Sequence, residues 1–268
     1  MGRARPSLSG VMKKQRRRPR GKIERLQPGP DAPGLDRDLT VYLPPSYGRS
    51  GRHYPVLYLQ DGQNLFDPKE SFAGSWRVDV AMDQAAGRGF DGIAVGIRHA
   101  GEGRLAEYSP FDDPKAGPGR GREYVTYLAE TIKPLVDARY RTIPDRGTTC
   151  VAGSSMGGLI SLFAFLARPD VFGATAAMSP SLWYAGRAIF EAVEAAPFLP
   201  GRIYLDVGRR EGEETVADAR RLRDLFIAKG YRKGDQIRYV EDLAGGHEED
   251  AWGRRLRAAL PFLLAPPG

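Results

Sequence analysis

The most constraining feature of this sequence is the alternation of short apolar, β-branched runs with longer segments of helical spacing. This alternation favours an α/β sheet whose strands are joined by crossover helices. The predicted strands are Lys22–Leu26, Asp38–Leu43, Pro55–Gln60, Gly92–Ile97, Thr148–Ala152, Gly173–Met178, Arg202–Val207 and Gln236–Leu243. The predicted helices are Val78–Ala86, Glu123–Ala138, Met156–Ala167, Arg187–Ala196, Thr215–Lys229 and Glu248–Leu264. We expect a mostly parallel eight-stranded sheet flanked by helices, with an antiparallel first pair because no helix separates those two strands.

Length and composition narrow the class of protein. The chain has 268 residues, which is enough for one large domain with a full hydrophobic core. Its single cysteine, Cys150, excludes an intramolecular disulfide and any CxxC motif. No apolar run reaches the roughly 18 residues of a membrane helix, and no apolar segment follows the basic start. The expected compartment is therefore the cytoplasm.

Positive charge is concentrated at the N terminus. Residues 1–25 contain ten Lys and Arg against one acid, whereas the remaining residues are close to neutral overall. We expect residues 1–20 to be a solvated, disordered tail and residues 21–268 to form one α/β domain. A basic tail can contact nucleic acid or an anionic membrane, but this one has no aromatic side chain to stack on bases. Because a solvated, disordered tail is the preferred interpretation, neither contact is expected.

The strongest chemical signal is the G-x-S-x-G pentad formed by Gly153, Ser155 and Gly157. A β-branched run precedes it and an apolar helical run follows, which is the strand–turn–helix context of a nucleophile elbow. The glycines let the backbones approach closely, and the sharp turn raises the Ser155 hydroxyl at the edge of the sheet. The alternative, a glycine-rich turn with a buried hydroxyl, is disfavoured by this context.

A serine nucleophile requires a base, and the chain has three histidines. His53 precedes a predicted strand and so lies at the wrong edge of the sheet, while His99 comes before Ser155 in the chain. His247 follows the last strand in a Gly-Gly-His loop. Only His247 satisfies the order serine, acid, histidine of the α/β-hydrolases.

The third member of a triad must lie between Ser155 and His247, on a loop at the carboxyl edge of the sheet. Glu211 lies in the loop after the penultimate strand and is the preferred candidate. Asp242, at the end of the last strand, and Asp206, inside the penultimate strand, remain alternatives. Glu211 can also be read as a surface charge paired with a neighbouring arginine.

Acyl transfer also needs hydrogen-bond donors for the oxyanion. One expected donor is the backbone N–H of Met156, the residue after the nucleophile. The other is expected from the loop after the third strand, where the N–H of Gln63 follows a glycine that allows close approach.

Two loops are predicted to form the substrate pocket. Arg98–Arg122 has no periodicity and follows a strand, which is typical of a lid or binding loop, and Ser179–Tyr184 follows a strand at the same edge. The expected substrate-binding side chains are Trp183, Tyr184, Arg104, Tyr108 and His99. Aromatic rings beside arginine suit an aromatic or catecholate acyl group. The alternative places Trp183 and Tyr108 in the core and pairs Arg104 with Glu107.

Other chemistries have little support. The chain contains neither a G-x-x-x-x-G-K-[ST] phosphate loop nor a G-x-G-x-x-G after the first strand. The acidic run after His247 lacks a second nearby histidine for a metal ion. Cys150 is expected to be a buried core thiol. No metal or cofactor is expected.

Several segments of the sequence, the pentad among them, resemble the Putative esterase family of α/β-hydrolases. This family includes enterochelin, bacillibactin and feruloyl esterases, esterase D and the antigen 85 acyltransferases. The segments are Val41–Pro45, Tyr58–Gly62, Glu107–Pro110, Gly153–Gly158, Ser179–Trp183 and Gly245–His247 with Trp252. The resemblance extends from about Leu39 to the C terminus and implies an α/β-hydrolase fold. It implies that Ser155 is the nucleophile, His247 the base and Gln63 the second oxyanion donor. It also implies that the acid is Glu211, where many relatives have Asp.

These observations predict a serine hydrolase acting on a small-molecule carboxylic ester. Aromatic and siderophore-type esters are the candidate substrates. The first alternative is an acyltransferase that uses the same site with an alcohol in place of water. The second is a catalytically silent binding protein with a basic tail. A fluorophosphonate probe distinguishes an enzyme from a silent protein, and product analysis with an added alcohol distinguishes hydrolase from transferase.

Overall fold

A computed structural model of the protein describes residues 20–71 and 74–266, so all of the predicted basic tail except Arg20 lies outside the described residues. The eight strands are β1 Lys22–Leu26, β2 Leu39–Leu43, β3 Val56–Leu59, β4 Ile93–Ile97, β5 Thr149–Ser154, β6 Ala174–Met178, β7 Arg202–Gly208 and β8 Ile237–Asp242. The helices are α1 Val78–Ala86, α2 Arg104–Glu107, α3 Gly121–Tyr127, α4 Lys133–Arg139, α5 Met156–Ala167, α6 Tyr184–Ala195, α7 Glu213–Ala228 and α8 Glu249–Leu263.

The strands form one sheet in the order β1-β2-β4-β3-β5-β6-β7-β8. The β1–β2 and β2–β4 pairs are antiparallel, and the other pairs are parallel. The predicted mostly parallel eight-stranded sheet and its antiparallel first pair are therefore confirmed. Because β3 and β5 to β8 run in the same direction, the loops that follow them meet at one edge of the sheet.

Successive residues of the central strands face opposite sides of the sheet and create two cores. Leu57 and Cys150 pack on the side covered by α1 and α8, whereas Tyr58 and Val151 pack on the side covered by α3 to α7. Both sides of β3 and β5 are buried, which explains why these strands read as continuous apolar runs. None of the helices within the described residues is long and apolar enough to cross a membrane.

Two segments depart from the predicted elements. The stretch Arg98–Arg122, expected to be structureless, contains a helical turn at Gly101–Gly103, the short helix α2 and the start of α3. The helix predicted over Glu123–Ala138 is continuous from α3 to α4 through a π-helical turn at Leu128–Ile132. The first difference arises because tertiary packing buries side chains that no periodic pattern marks, such as Tyr108.

The first turn of α6 has an unusual backbone. Ala185, Gly186 and Arg187 have φ values of 48°, 63° and 69°, so this turn is left-handed and the regular helix begins after it. Salt bridges from Arg187 to Glu214 and Asp218 tie this turn to α7. The predicted start of the helix at Arg187 is therefore close to the beginning of its right-handed part.

Candidate active site

Ser155 lies in a sharp turn between β5 and α5, at the carboxyl edge of the sheet. Its backbone has φ 55° and ψ −125°, outside the regions that L-residues ordinarily occupy. Neighbouring glycines are needed here, because a Cβ on Gly153 would lie 2.5 Å from the carbonyl oxygen of Gly157. The structure therefore contains the strand–turn–helix geometry that the pentad predicts.

A second serine contacts the Ser155 hydroxyl. The two Oγ atoms of Ser155 and Ser181 are 3.2 Å apart, and the Ser181 N–H donates to the Ser155 carbonyl at 3.0 Å. The N–H of Ser155 in turn donates to the carbonyl of Met178 at 3.0 Å. The segment after β6 therefore supports the turn that holds Ser155. The sequence analysis assigned no function to Ser181.

The structure brings Glu211 and His247 together, although 36 positions separate them in the chain. His247 Nδ1 is 2.8 Å from Glu211 Oε2. The other carboxylate oxygen, Oε1, accepts hydrogen bonds from the Ser179 hydroxyl at 2.6 Å and from the Gly208 N–H at 2.7 Å. Glu211 thus has the position and the partners of a carboxylate that orients an imidazole.

The environment of Glu211 favours its charged form. Burial alone would raise the pKa of this carboxyl, but the hydrogen bonds from His247, Ser179 and Gly208 outweigh burial and hold the pKa below its usual range. Glu211 is therefore an ionised acceptor for Nδ1 of His247 near neutral pH. This is the state in which a carboxylate stabilises a protonated imidazole.

His247 is held from one side by an aromatic ring. Its imidazole packs edge-on against Trp252, with ring centroids 4.8 Å apart and an interplanar angle of 81°. The Trp252 Nε1–H donates to the Ser179 hydroxyl at 3.0 Å, which fixes the indole in turn. The other side of the His247 side chain, which is 47% exposed, is open to solvent and to the cleft.

His247 and Ser155 line the same cleft, which has a volume of about 370 Å³. All of its lining residues except Trp252 are polar. The lining residues are Asp61, Gln63, Asn64, Glu70, His99, Arg104, Ser154, Ser155, His247, Glu249 and Trp252. The cleft is therefore a polar site, with the predicted nucleophile and base on its wall. Among the described residues, no group of three or more His, Cys, Asp or Glu is arranged to hold a metal ion.

The loop after β3 forms the wall where the second oxyanion donor is predicted. Asp61 has φ 55° and leads into the turn Gly62–Asn64, which contains Gln63. A Cβ on Gly62 would lie 2.7 Å from the backbone of Gly96, so only glycine fits there. Within the described part of the chain, the N–H of Gln63 has no hydrogen-bond acceptor. Met156, the first residue of α5, has an N–H that helix geometry leaves unpaired.

Arg104 and Tyr108 support this loop. Arg104 makes a two-pronged ion pair with Asp61, with Nε–Oδ1 and Nη2–Oδ2 distances of 2.7 and 2.8 Å. The Asp61 N–H donates to the Tyr108 hydroxyl at 3.1 Å, and the Arg104 guanidinium lies over the Tyr108 ring. Arg104 also lines the cleft, as expected. It pairs with Asp61 and not with Glu107, which pairs with Arg37.

The predicted substrate contacts of Tyr108 and Tyr184 need correction. Tyr108 is completely buried and Tyr184 is nearly so, because both rings belong to the core on the α3–α7 side of the sheet. Trp183 is 59% exposed and packs edge-on against Tyr184, but it lies outside the lining of the cleft. The aromatic wall expected from these side chains is therefore absent from the described cleft.

His99 lies on the cleft wall, and its contact with substrate stays a prediction. Its Nδ1 accepts a hydrogen bond from the Gly101 N–H at 2.8 Å. Burial lowers the pKa of this imidazole, which favours the neutral ring. His99 can therefore present an uncharged side chain to a ligand in the cleft.

Glu249 is a cleft residue that the sequence analysis missed. Its carboxylate accepts hydrogen bonds from the indole N–H of Trp76 and from the Asn64 amide. Burial raises the pKa of Glu249 to about 7, and the nearby charge of Asp61 acts in the same direction. The only sequence signal for Glu249 is the acidic run after His247, which the sequence analysis considers and sets aside as a pattern of metal ligands.

Comparison with known proteins identifies the family of this chain. The family described as "Putative esterase" matches residues 31–263, which is most of the chain. The chain therefore belongs to this family, a class of carboxylic-ester hydrolases with the α/β-hydrolase fold. The resemblance inferred from its motifs is confirmed.

Several individual proteins are similar to this chain. The chain is 30% identical over 195 residues to "Uncharacterized protein YbbA" of Bacillus subtilis, covering 70% of this chain and 74% of that protein. It is 30% identical over 149 residues to the "Siderophore triacetylfusarinine C esterase" of Aspergillus fumigatus, covering 53% of this chain and 49% of that one. The fold is similar to that of a ferulic acid esterase, with a TM-score of 0.69, 22% identity, and coverage of 91% of this chain and 98% of that chain.

Proposed function

We propose that this protein hydrolyses a carboxylic ester through an acyl-enzyme formed on Ser155, with His247 as the base and Glu211 as the acid that orients it. The observation that carries this proposal is the 2.8 Å hydrogen bond between His247 Nδ1 and Glu211 Oε2, at the cleft that Ser155 also lines. A carboxylate bound at Nδ1 holds the proton on that nitrogen and leaves Nε2 free to accept one.

The proposed reaction begins at the Ser155 hydroxyl. Its side chain turns from Ser181 toward His247, whose Nε2 takes the proton as Oγ bonds to the ester carbonyl carbon. The tetrahedral intermediate then loses the alcohol, which leaves with the proton from His247. Water enters, gives a proton to His247 and attacks the acyl group. The carboxylic acid leaves, and the proton returns to Ser155 Oγ.

Two backbone N–H groups are the proposed oxyanion donors. Met156 begins α5, so its N–H lies at the positive end of the helix dipole. The N–H of Gln63 comes from the turn that Asp61, Arg104 and Tyr108 brace. Bracing matters because preorganised donors need no rearrangement as the negative charge develops.

The proposed chemistry is tested by labelling with a fluorophosphonate probe and by ester kinetics. Ser155→Ala should abolish labelling and lower kcat by at least about a thousandfold with the fold intact. Ser161→Ala removes a different buried hydroxyl, on α5, and serves as the matched control that keeps both signals. Labelling that persists in Ser155→Ala and disappears in Ser154→Ala would place the nucleophile one residue earlier. Transfer of the acyl group to an added alcohol in preference to water would make the enzyme a transferase.

For the substrate we propose an ester with polar groups around the scissile bond. This proposal is supported by the polar lining of the cleft and by the position of Trp183 outside it. A siderophore ester, the kind of substrate named for the Aspergillus relative, is the first candidate. We expect a higher kcat/KM for a siderophore ester than for p-nitrophenyl butyrate. A preference for butyrate contradicts the proposal, and a preference for a feruloyl ester that is lost in Trp183→Ala restores the aromatic pocket.

A further inference from the structure

The hydroxyl of Ser179 is the meeting point of three side chains behind the candidate triad. Trp252 Nε1 donates to Ser179 Oγ at 3.0 Å, and Arg255 Nη2 donates to it at 2.7 Å. The same oxygen donates to Glu211 Oε1 at 2.6 Å. A hydroxyl has one hydrogen and two lone pairs. Because the two incoming donors occupy both lone pairs, the single hydrogen of Ser179 has to point at Glu211.

The backbone of Ser179 is fixed as tightly as its side chain. Ser179 follows β6 with φ 41°, a left-handed conformation that is costly for a residue other than glycine. Its N–H is within hydrogen-bond distance of two oxygens of Asp206 on β7, the backbone carbonyl at 3.0 Å and Oδ1 at 3.1 Å. Backbone strain of this kind persists only where the surrounding structure enforces it, and it clusters at functional sites.

Arg255 supplies the positive charge for this group of residues. Its side chain is 4% exposed, and its nitrogens lie 3.2 Å from Asp206 Oδ1, 3.8 Å from Glu211 Oε1 and 3.8 Å from Asp242 Oδ2. One buried cation is therefore surrounded by three carboxyl groups. Burial raises the pKa of Asp206 to about 7, with Arg255 opposing this effect. Arg255 reaches Glu211 with a short hydrogen bond only through the Ser179 hydroxyl.

We propose that Ser179 and Arg255 are positioning residues for Glu211, with the Ser179 hydroxyl relaying the charge of Arg255 to Glu211 Oε1 so that Oε2 stays directed at His247. This inference rests on the triad proposed above. It assigns to the Ser179 hydroxyl a function that neither the motif nor the family match specifies. Its consequence is that loss of the relay weakens the orientation of His247 without removing any group that touches substrate.

The proposed relay also leads to a prediction about the pH dependence of kcat/KM. The charged or titratable groups that face Glu211 are His247 from the loop after β8, Arg255 from α8 and, across Arg255, Asp206 and Asp242 from the ends of β7 and β8. The Ser179 hydroxyl donates to the charged form of Glu211. Its removal must therefore raise the pKa of Glu211. Because protonated Glu211 no longer accepts from His247 Nδ1, the part of the acidic limb of the kcat/KM profile that reports protonation of Glu211 should move to higher pH.

The experiment compares Ser179→Ala with wild type and with Ser161→Ala, which removes a buried hydroxyl far from Glu211 in the chain. Ser179→Ala should lower kcat roughly ten- to a hundredfold with little change in KM, since a hydrogen bond to a charged group is lost. It should also move the acidic limb upward. In a Glu211→Gln background the same substitution should change kcat less than about twofold, because the relay then has no charged recipient.

Two further measurements keep the test decisive. Arg255→Lys retains the charge but not the planar geometry, so it should move the acidic limb in the same direction by a smaller amount. The low-field proton resonance of the His247 Nδ1–H reads the hydrogen bond to Glu211 without any turnover. It should weaken or shift in Ser179→Ala and Arg255→Lys, and remain in Ser161→Ala and Ser155→Ala.

The outcomes separate this inference from the proposed function. Equal losses from Ser179→Ala in the wild-type and Glu211→Gln backgrounds, an unmoved acidic limb or an unchanged Nδ1–H resonance would each overturn the relay. A Ser155→Ala variant that keeps full activity would overturn the proposed function instead. The Nδ1–H resonance still tests the relay in that case, because it depends only on the contact between Glu211 and His247.

Discussion

Three acidic side chains near the carboxyl ends of β7 and β8 are the candidates for the acid of the triad. Their hydrogen-bond partners differ. Glu211 contacts His247 and accepts two further hydrogen bonds that stabilise its charge. Asp206 is fully buried, and its Oδ1 accepts a hydrogen bond from the Ser179 N–H. Asp242 caps the Ala244 N–H in the loop that leads to His247. Only Glu211 has a carboxylate oxygen on the imidazole.

The first prediction separates Glu211 from Asp242. Glu211→Gln should lower kcat by roughly a hundredfold or more, but by less than Ser155→Ala, because the acid orients the base and does not itself attack. Asp242→Asn should cost less than about tenfold, and steady-state kinetics on one ester measures both. The assignment is wrong if Glu211→Gln is nearly as active as wild type and Asp242→Asn is severely impaired.

The loops after three neighbouring parallel strands share one backbone feature. Asp61 after β3, Ser155 after β5 and Ser179 after β6 all have positive φ, although none is glycine. Conformations of this kind cost about 1–3 kcal/mol each. They turn the chain sharply where the strands end, which brings the oxyanion loop, the nucleophile and the support of Glu211 to one edge. Strand order therefore assembles the site from segments far apart in the chain.

The strand β7 ends differently, on a glycine that the site needs for space. A Cβ on Gly208 would lie 2.7 Å from Glu211 Oε1 and would also meet the backbone of Gly245, in the loop of His247. Gly208→Ala should therefore lower the free energy of unfolding by about 1–3 kcal/mol and reduce kcat/KM at least tenfold. Urea unfolding and ester kinetics measure these effects. Gly51→Ala, at an exposed glycine with open space around it, is the matched control, and equal behaviour of the two variants would refute the steric argument.

Across the whole molecule, buried carboxyl groups set how stability responds to pH. Burial raises the pKa of Glu249 to about 7, above its ordinary value of 4.5. The charged groups facing it are Asp61 and Arg104, which line the same cleft, while Trp76 and Asn64 donate to it. Because the folded state holds the proton more tightly than the unfolded state, stability from this group is present below pH 4.5 and is lost as the pH rises through 7. Asp206 acts in the same direction.

The free energy of unfolding should therefore fall between pH 5 and pH 8, and Glu249→Gln should reduce that fall by about 1–3 kcal/mol. Asp206 contributes to the slope that remains, and His99, whose pKa is lowered by burial, opposes it. Urea unfolding at pH 5, 6.5 and 8 measures the effect. Glu241→Gln is the control, because arginine contacts lower the pKa of Glu241 to about 2 and its titration is complete before pH 5. Parallel pH curves for wild type and Glu249→Gln would contradict this account.

Read alone, the chain specifies its strands, most of its helices and the elbow at Ser155, because periodicity and turn chemistry act over a few neighbouring residues. His247 and Glu211 follow from chain order and loop position, which the topology of parallel strands makes predictive. The contacts around these residues cannot be predicted from the sequence. The contact between Tyr108 and Asp61 spans 47 positions, and that between Arg255 and Ser179 spans 76. Contacts of that range leave no local pattern, so the burial of Tyr108 and Tyr184, the polar cleft and the relay through Ser179 emerge only when the packed elements bring these side chains together.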